Sequence, residues 1–249
     1  MYKELNLCLI IIIAAFKGYR SECKITEEQL DNCFHDAMFL GNLDSIIPSN
    51  EDEMSHHCST INGGVNCARD YSASCLTGFP QQVTEMVLTN MGHHMESRCN
   101  KPSERAEFLE NVKCFLPKEK MKPLHVCGDK HTKFMEIASK MSKEDAHLAF
   151  MCCAYQVFKH CILTNTIQIC SEGHAQYWDE IFEEVASEAV TFACSDFDSV
   201  DKCAAKLKPE DWAKIKTIDQ ATDPAVWAHN MRTPIKFMLE MINKFHMDS

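Results

Sequence analysis

Cysteine is the residue type in this chain whose spacing could do chemistry, and that chemistry is oxidative cross-linking. Cys33, Cys58, Cys67, Cys75 and Cys99 recur as Cys127, Cys152, Cys161, Cys170 and Cys194, at offsets of 94 or 95 residues. One offset shared by five positions predicts a duplicated unit held together by oxidised sulfur. The chain has 15 cysteines, and Cys8 lies inside a leading apolar run. Setting Cys8 aside leaves an even number, as a complete set of disulfides requires. Such density fits an oxidising compartment. A zinc site would want a close C-x-x-C pair, and the sequence has none.

Other residues with chemical potential lack the company they need. A secreted phospholipase A2 motif, C-C-x-x-H-x-x-C, would start at Cys152-Cys153, but Gln156 and Lys159 stand at its histidine and last cysteine positions. The run Asp196-x-Asp198-x-x-Asp201 suggests a calcium loop. An EF-hand wants Gly sixth and Glu twelfth, where this chain has Asp201 and Leu207. The run reads instead as a solvated helix start, where carboxylates meet the positive end of the dipole. The pairs His56-His57 and His93-His94 point about 100° apart on a helix. They therefore read as surface histidines. No H-E-x-x-H, G-x-S-x-G or phosphate-binding glycine loop occurs. We therefore expect no enzyme, no cofactor and no metal site. Met86, Met91 and Met95, and further on Met238 and Met241, could form an adaptable apolar wall, although ordinary core filling is the simpler reading.

The elements that would position these residues are helical. Thr26-x-x-Gln29 is a capping box ahead of Leu30, Cys33/Phe34 and Ala37/Met38. Gly41-Asn42 then stops that helix. Met54, Cys58, Ile61 and Val65 predict a helix from about 51 to 76, with a kink plausible at Gly63-Gly64. Pro80 fits a first helical position. Phe108/Leu109, Val112 and Phe115/Leu116 mark another helix, ending near Pro117. The charged stretch Pro117 to Pro123 predicts a connector between the copies. Ser142-x-x-Asp145 caps the next long helix, to about Cys170. Trp178, Ile181/Phe182, Val185 and Ala189 form the cleanest amphipathic stripe. Thr233-Pro234 opens a last helix with Phe237/Met238, Met241/Ile242 and Phe245 on one face. No alternating strand pattern is present.

The predicted fold is thus all-α: two tandem disulfide-stapled helical repeats with a C-terminal helical extension. Residues 1–21 read as a secretory signal peptide, because Leu5–Phe16 is apolar yet too short to span a bilayer. Residues 22–121 form the first repeat, and 122–249 the second plus the extension. The formal charge is −11. An acidic chain without a basic cluster argues against nucleic acid and anionic membranes as partners. No N-x-S/T sequon is present.

Helical rise restricts the cysteine pairing. Cys58, Cys67 and Cys75 lie eight or nine residues apart, roughly 12–13 Å along one helix, whereas a disulfide needs Cα atoms within about 7 Å. Each must reach another segment, with Cys33, Cys99 and Cys114 as natural partners. In the second copy Cys152, Cys161 and Cys170 face Cys127, Cys194 and Cys203. Six matchings of each trio stay open. Cys23 and Cys153 remain, and a bond between them would tie the copies. Cys114 has a second role open to it, since its distance from Cys127 resembles that from Cys23 to Cys33.

The spacing Cys58-x8-Cys67-x3-Tyr71-x3-Cys75, with Cys33 before and Cys99 after, resembles the secreted cysteine-rich helical domains of unknown function of arthropods and nematodes, including haemolymph glycoprotein-like proteins. The likeness covers nearly all of the chain after residue 21. It implies an extracellular helical protein without established catalysis; the missing sequon departs from a glycosylated member. The expected function is a secreted, non-catalytic binding or structural protein. The alternatives are a carrier of small apolar ligands, for which an internal apolar cavity would discriminate, and a venom or salivary effector acting on an extracellular protein.

Overall fold

In the computed structural model the described residues are 23–35, 40, 47–141, 144–228 and 233–246. The apolar leader 1–21, the Gly41-Asn42 stop and the Ser142 cap lie outside them. So do the side chains of Val185, Ala189, Ile242 and Phe245. Among the described residues the chain is all-α, without a strand. The helices are α1 (Glu27–His35), α2 (Glu51–Cys75), α3 (Phe79–Asn100), α4 (Pro102–Val112), α5 (Lys118–Lys140), α6 (Glu144–Ile169), α7 (Glu172–Ala193), α8 (Val200–Lys206), α9 (Pro209–Gln220) and α10 (Ile235–His246). Short 3-10 turns follow α4, α7 and α9.

Local sequence fixes most starts. The Thr26 amide donates to Gln29 Oε1 at 2.8 Å, and the Gln29 amide donates to Thr26 Oγ1 at 3.1 Å. That reciprocal pair is the capping box. Asn50 Oδ1 accepts the Glu53 amide at 3.0 Å to open α2. Proline stands in the first turn of α3, α4 and α9, where a missing N–H costs nothing. Gly78, before α3, holds φ at 65°, a conformation that suits glycine. Helix α2 runs on through Gly63-Gly64.

The stretch from Pro117 to Pro123, predicted as a connector, is helical instead. Pro117 caps α5, and Pro123 lies inside it. The position between residues 121 and 122 therefore falls within a helix. Burial explains the difference. A proline in a helix interior costs about 3 kcal/mol, while Met121 and Leu124 are buried, each worth roughly 1.5–3 kcal/mol.

Three apolar clusters form the core. The first joins α1, α2 and α3 through Leu30, Phe34, Ala68, Tyr71 and Leu88. The second draws on residues from Met54 to Trp178. Phe108 and Phe115 each meet Trp178 edge-on, with centroids 6.4 Å apart. The third packs Phe134, Phe150, Val157, Ile215 and Trp227 with Phe237 and Met241 of α10.

All cysteines among the described residues are paired. Cys33–Cys67 and Cys127–Cys161 each span 34 residues, Cys58–Cys99 spans 41 and Cys152–Cys194 spans 42. Cys23–Cys75 spans 52 and Cys114–Cys170 spans 56. Cys153–Cys203 is the seventh bridge. The expected Cys23–Cys153 tie is therefore wrong. Cys23 meets Cys75 at the end of α2, with Cα atoms 4.7 Å apart. Cys114 takes the second role, beside Cys170. Cys152 and Cys153 point about 100° apart around α6, so one reaches Cys194 past α7 and the other reaches Cys203 on α8. No bridge joins residues 23–99 to residues 114–203.

Candidate functional site: an apolar cavity between helices

A half-open apolar hollow of about 280 Å³ lies where the first and second core clusters meet. Helix α2 gives it Met54, His57, Ile61 and Val65. These follow the helical stripe that also carries Cys58. Helix α3 adds Met91, Met95 and Arg98. Trp178, Ile181 and Phe182 line it from α7, with Phe158 and Ile162 from α6. Phe34, Leu40, Phe108 and Leu124 complete the wall. Three disulfides set this wall: Cys33–Cys67 holds α1 on α2, Cys58–Cys99 holds α2 on α3, and Cys127–Cys161 holds α5 on α6.

The wall is almost wholly apolar. His57 is buried and stacks on Phe108, with centroids 6.0 Å apart. Burial first, then the neighbouring His56, pushes its pKa down to about 4. At neutral pH it is an uncharged ring. His131 stacks on Phe158 at 4.5 Å, behind the wall, and burial pushes it down to about 4 as well. Among the described residues of the lining, Arg98 is the one permanent charge. Its side chain is 11% exposed and donates to Glu184 Oε2 at 3.2 Å.

Arg98 and Ile181 also line a second hollow, a polar surface cleft of about 520 Å³. His93, His94, Lys101, Tyr177 and four glutamates surround that cleft: Glu104, Glu107, Glu180 and Glu184. His94 Nδ1 lies 3.3 Å from the same Glu184 oxygen that Arg98 engages. Burial pushes the Tyr177 hydroxyl up to about 12; Arg98 opposes this, and Glu107, Glu184 and Glu104 reinforce it.

The structure sorts the other sequence candidates. Met91 and Met95 reach the cavity, whereas Met86 is exposed and Met238 and Met241 belong to the third cluster. His57 is not a surface residue. Ser199 caps α8 by accepting the Lys202 amide at 3.2 Å. Asp198 pairs with Lys202 at 2.5 Å, and Asp196 pairs with Lys206 at 2.6 Å, so the acidic run is a solvated helix start. Sequence reading missed Phe34, Phe158, Trp178, Phe182 and Arg98 as wall residues. The stripe Trp178-Ile181-Phe182 carried a signal, but periodicity does not tell a packed face from a cavity face. No protein-family model, curated protein or solved structure matches this chain.

Proposed function

We propose that this chain is a secreted, non-catalytic carrier of small apolar molecules. The observation that carries the reading is the cavity of about 280 Å³ walled by Met54, Met91, Met95, Phe108, Phe158 and Trp178. An engineered apolar cavity of about 150 Å³ takes up benzene. Scaling from that case, this one suits a ligand of roughly a dozen non-hydrogen atoms. Methionine and aromatic walls adapt to varied apolar shapes.

Secretion is supported by the seven bridges and the apolar leader. A duplicated origin is supported by the matched spans: 34 and 34, 41 and 42, 52 and 56 residues. The bridge Cys153–Cys203 and helices α9 and α10 then belong to the second copy alone. The likeness to secreted cysteine-rich helical domains of arthropods and nematodes is supported by the same spacing.

The test is direct. Protein purified in its natural, oxidised form is analysed by native mass spectrometry and by solvent extraction. A bound apolar compound, or displacement of the uncharged fluorophore N-phenyl-1-naphthylamine by added apolar compounds, supports a carrier. Failure to take up any apolar probe would leave a structural role and remove this one.

A further inference from the structure

Arg98 differs from the other arginine that joins these helices. Arg105 is fully committed: Nε donates to Glu51 Oε2 at 2.7 Å, and its terminal nitrogens donate to Cys99 O, Glu51 O and Ser55 Oγ at 2.9, 3.0 and 2.9 Å. Arg98 is at least as deeply set, with 11% of its side chain exposed against 15%. Among the described residues it makes one hydrogen bond, to Glu184. A guanidinium has five N–H donors and no acceptor. Arg98 thus brings spare donors to a place where the apolar hollow adjoins a polar cleft.

Three kinds of headgroup could meet it. Among the described residues, a carboxylate would face Glu104, Glu107, Glu180 and Glu184 against Arg98 and Lys101 as permanent cations. It would also have to displace Glu184, which already offsets the Arg98 charge. An ammonium is donor-only, like the guanidinium, so the two cannot hydrogen-bond; it would pair with the glutamates and leave the spare Arg98 donors unused. A neutral oxygen acceptor meets neither obstacle. It takes a spare N–H while the Arg98–Glu184 pair stays in place.

Resting on the carrier reading, we infer that the ligand is an uncharged amphiphile: an apolar chain in the cavity and one acceptor oxygen, as in an alcohol, aldehyde or ester, bound by Arg98. A hydrogen bond to a charged group is worth enough to change affinity about tenfold.

The test uses the intact oxidised protein and displacement of N-phenyl-1-naphthylamine by octane, octan-1-ol, octanoate and octylamine. Octanol should bind about tenfold more tightly than octane, and more tightly than either charged analogue. Within Arg98→Met, octanol should bind no more tightly than octane. Arg98→Lys, which keeps a donor, should restore part of the octanol advantage. Equal binding of octane and octanol by the unaltered protein overturns the inference and leaves the carrier reading standing. So does tightest binding of octanoate or octylamine, or an octanol advantage that survives in Arg98→Met. If none of the four displaces the probe, the carrier reading falls, and this inference falls with it.

Discussion

Asp31 and Thr233 meet inside the protein although 202 residues separate them: one oxygen of the Asp31 carboxylate accepts both the Thr233 amide, at 2.8 Å, and the Thr233 hydroxyl, at 2.7 Å. Both residues are buried. Beside them, Lys236 Nζ lies 3.1 Å from Glu27. These contacts dock the start of α10 on α1, beside the wall that contributes Phe34 to the cavity.

Thr233→Val keeps the shape and removes the hydroxyl donor. It should cost about 1–3 kcal/mol, because a buried carboxylate loses one of its partners. Urea denaturation of the oxidised protein measures this. A midpoint equal to that of the parent would show that the hydroxyl bond adds nothing.

Acidification should weaken the fold before the carboxylates titrate. His57 and His131 titrate near 4 when folded and near 6.5 when unfolded. Below pH 6.5 the unfolded chain binds more protons, so stability falls as pH drops from 6.5 towards 4. Between pH 6.5 and 4.5 the loss should be roughly 2 kcal/mol per histidine. Denaturation midpoints at pH 7, 5.5 and 4.5 report it. His131→Phe should flatten the slope in part, since His57 and the buried His125, whose pKa burial also lowers, keep contributing.

Ligand entry should be visible through one tryptophan. Trp178 lines the cavity, whereas Trp212 and Trp227 sit at the third cluster. Octanol should shift or quench indole emission in the parent protein. The response should vanish in Trp178→Phe and persist in Trp212→Phe. A response retained in Trp178→Phe would place the ligand elsewhere.

Filling the cavity should abolish uptake. Met91→Trp adds an indole to a wall that has space for it. Probe affinity should fall at least tenfold while far-UV circular dichroism stays unchanged. Undiminished affinity would exclude this cavity as the binding site.

The bridge Cys153–Cys203 can be removed without touching the six matched ones. Closing a loop of its 50-residue span is worth about 4 kcal/mol by chain entropy. The double variant Cys153→Ala/Cys203→Ala should lose about 2–4 kcal/mol and keep its helices. Both sulfurs are buried, so a larger loss would point to cavities left at the two sites.

Helices were legible because their signals are local. The Thr26–Gln29 capping box and the 51–76 stripe each name their element within a few residues, and α2 ends one residue short of the sequence reading. Cysteine spacing also excluded pairing along one helix. Which partner each cysteine takes was not legible, because that depends on how helices pack. The turn that separates Cys152 from Cys153 decides two bridges, yet it matters only once α7 and α8 are in place. Proline at 123 misled for a similar reason: the burial of Met121 and Leu124 outweighs a local preference. The cavity was the least legible feature. Its wall joins Phe34 to Phe182 through seven helices, and no single stretch records that Met95 and Trp178 line one hollow.

The bridges leave two covalent frames, one ending at Cys99 and the other beginning at Cys114, and the hollow has walls from both. Non-covalent contacts close the seam: the Asp31–Thr233 bonds and the Lys236–Glu27 pair between α1 and α10, and the Arg98–Glu184 pair as a latch beside the hollow. Glu184 is half exposed, so that latch is weak. No sulfur–sulfur bond among the described residues therefore has to break for the two frames to part. A single proteolytic cut in the 100–113 tether would leave the two frames joined by non-covalent contacts alone.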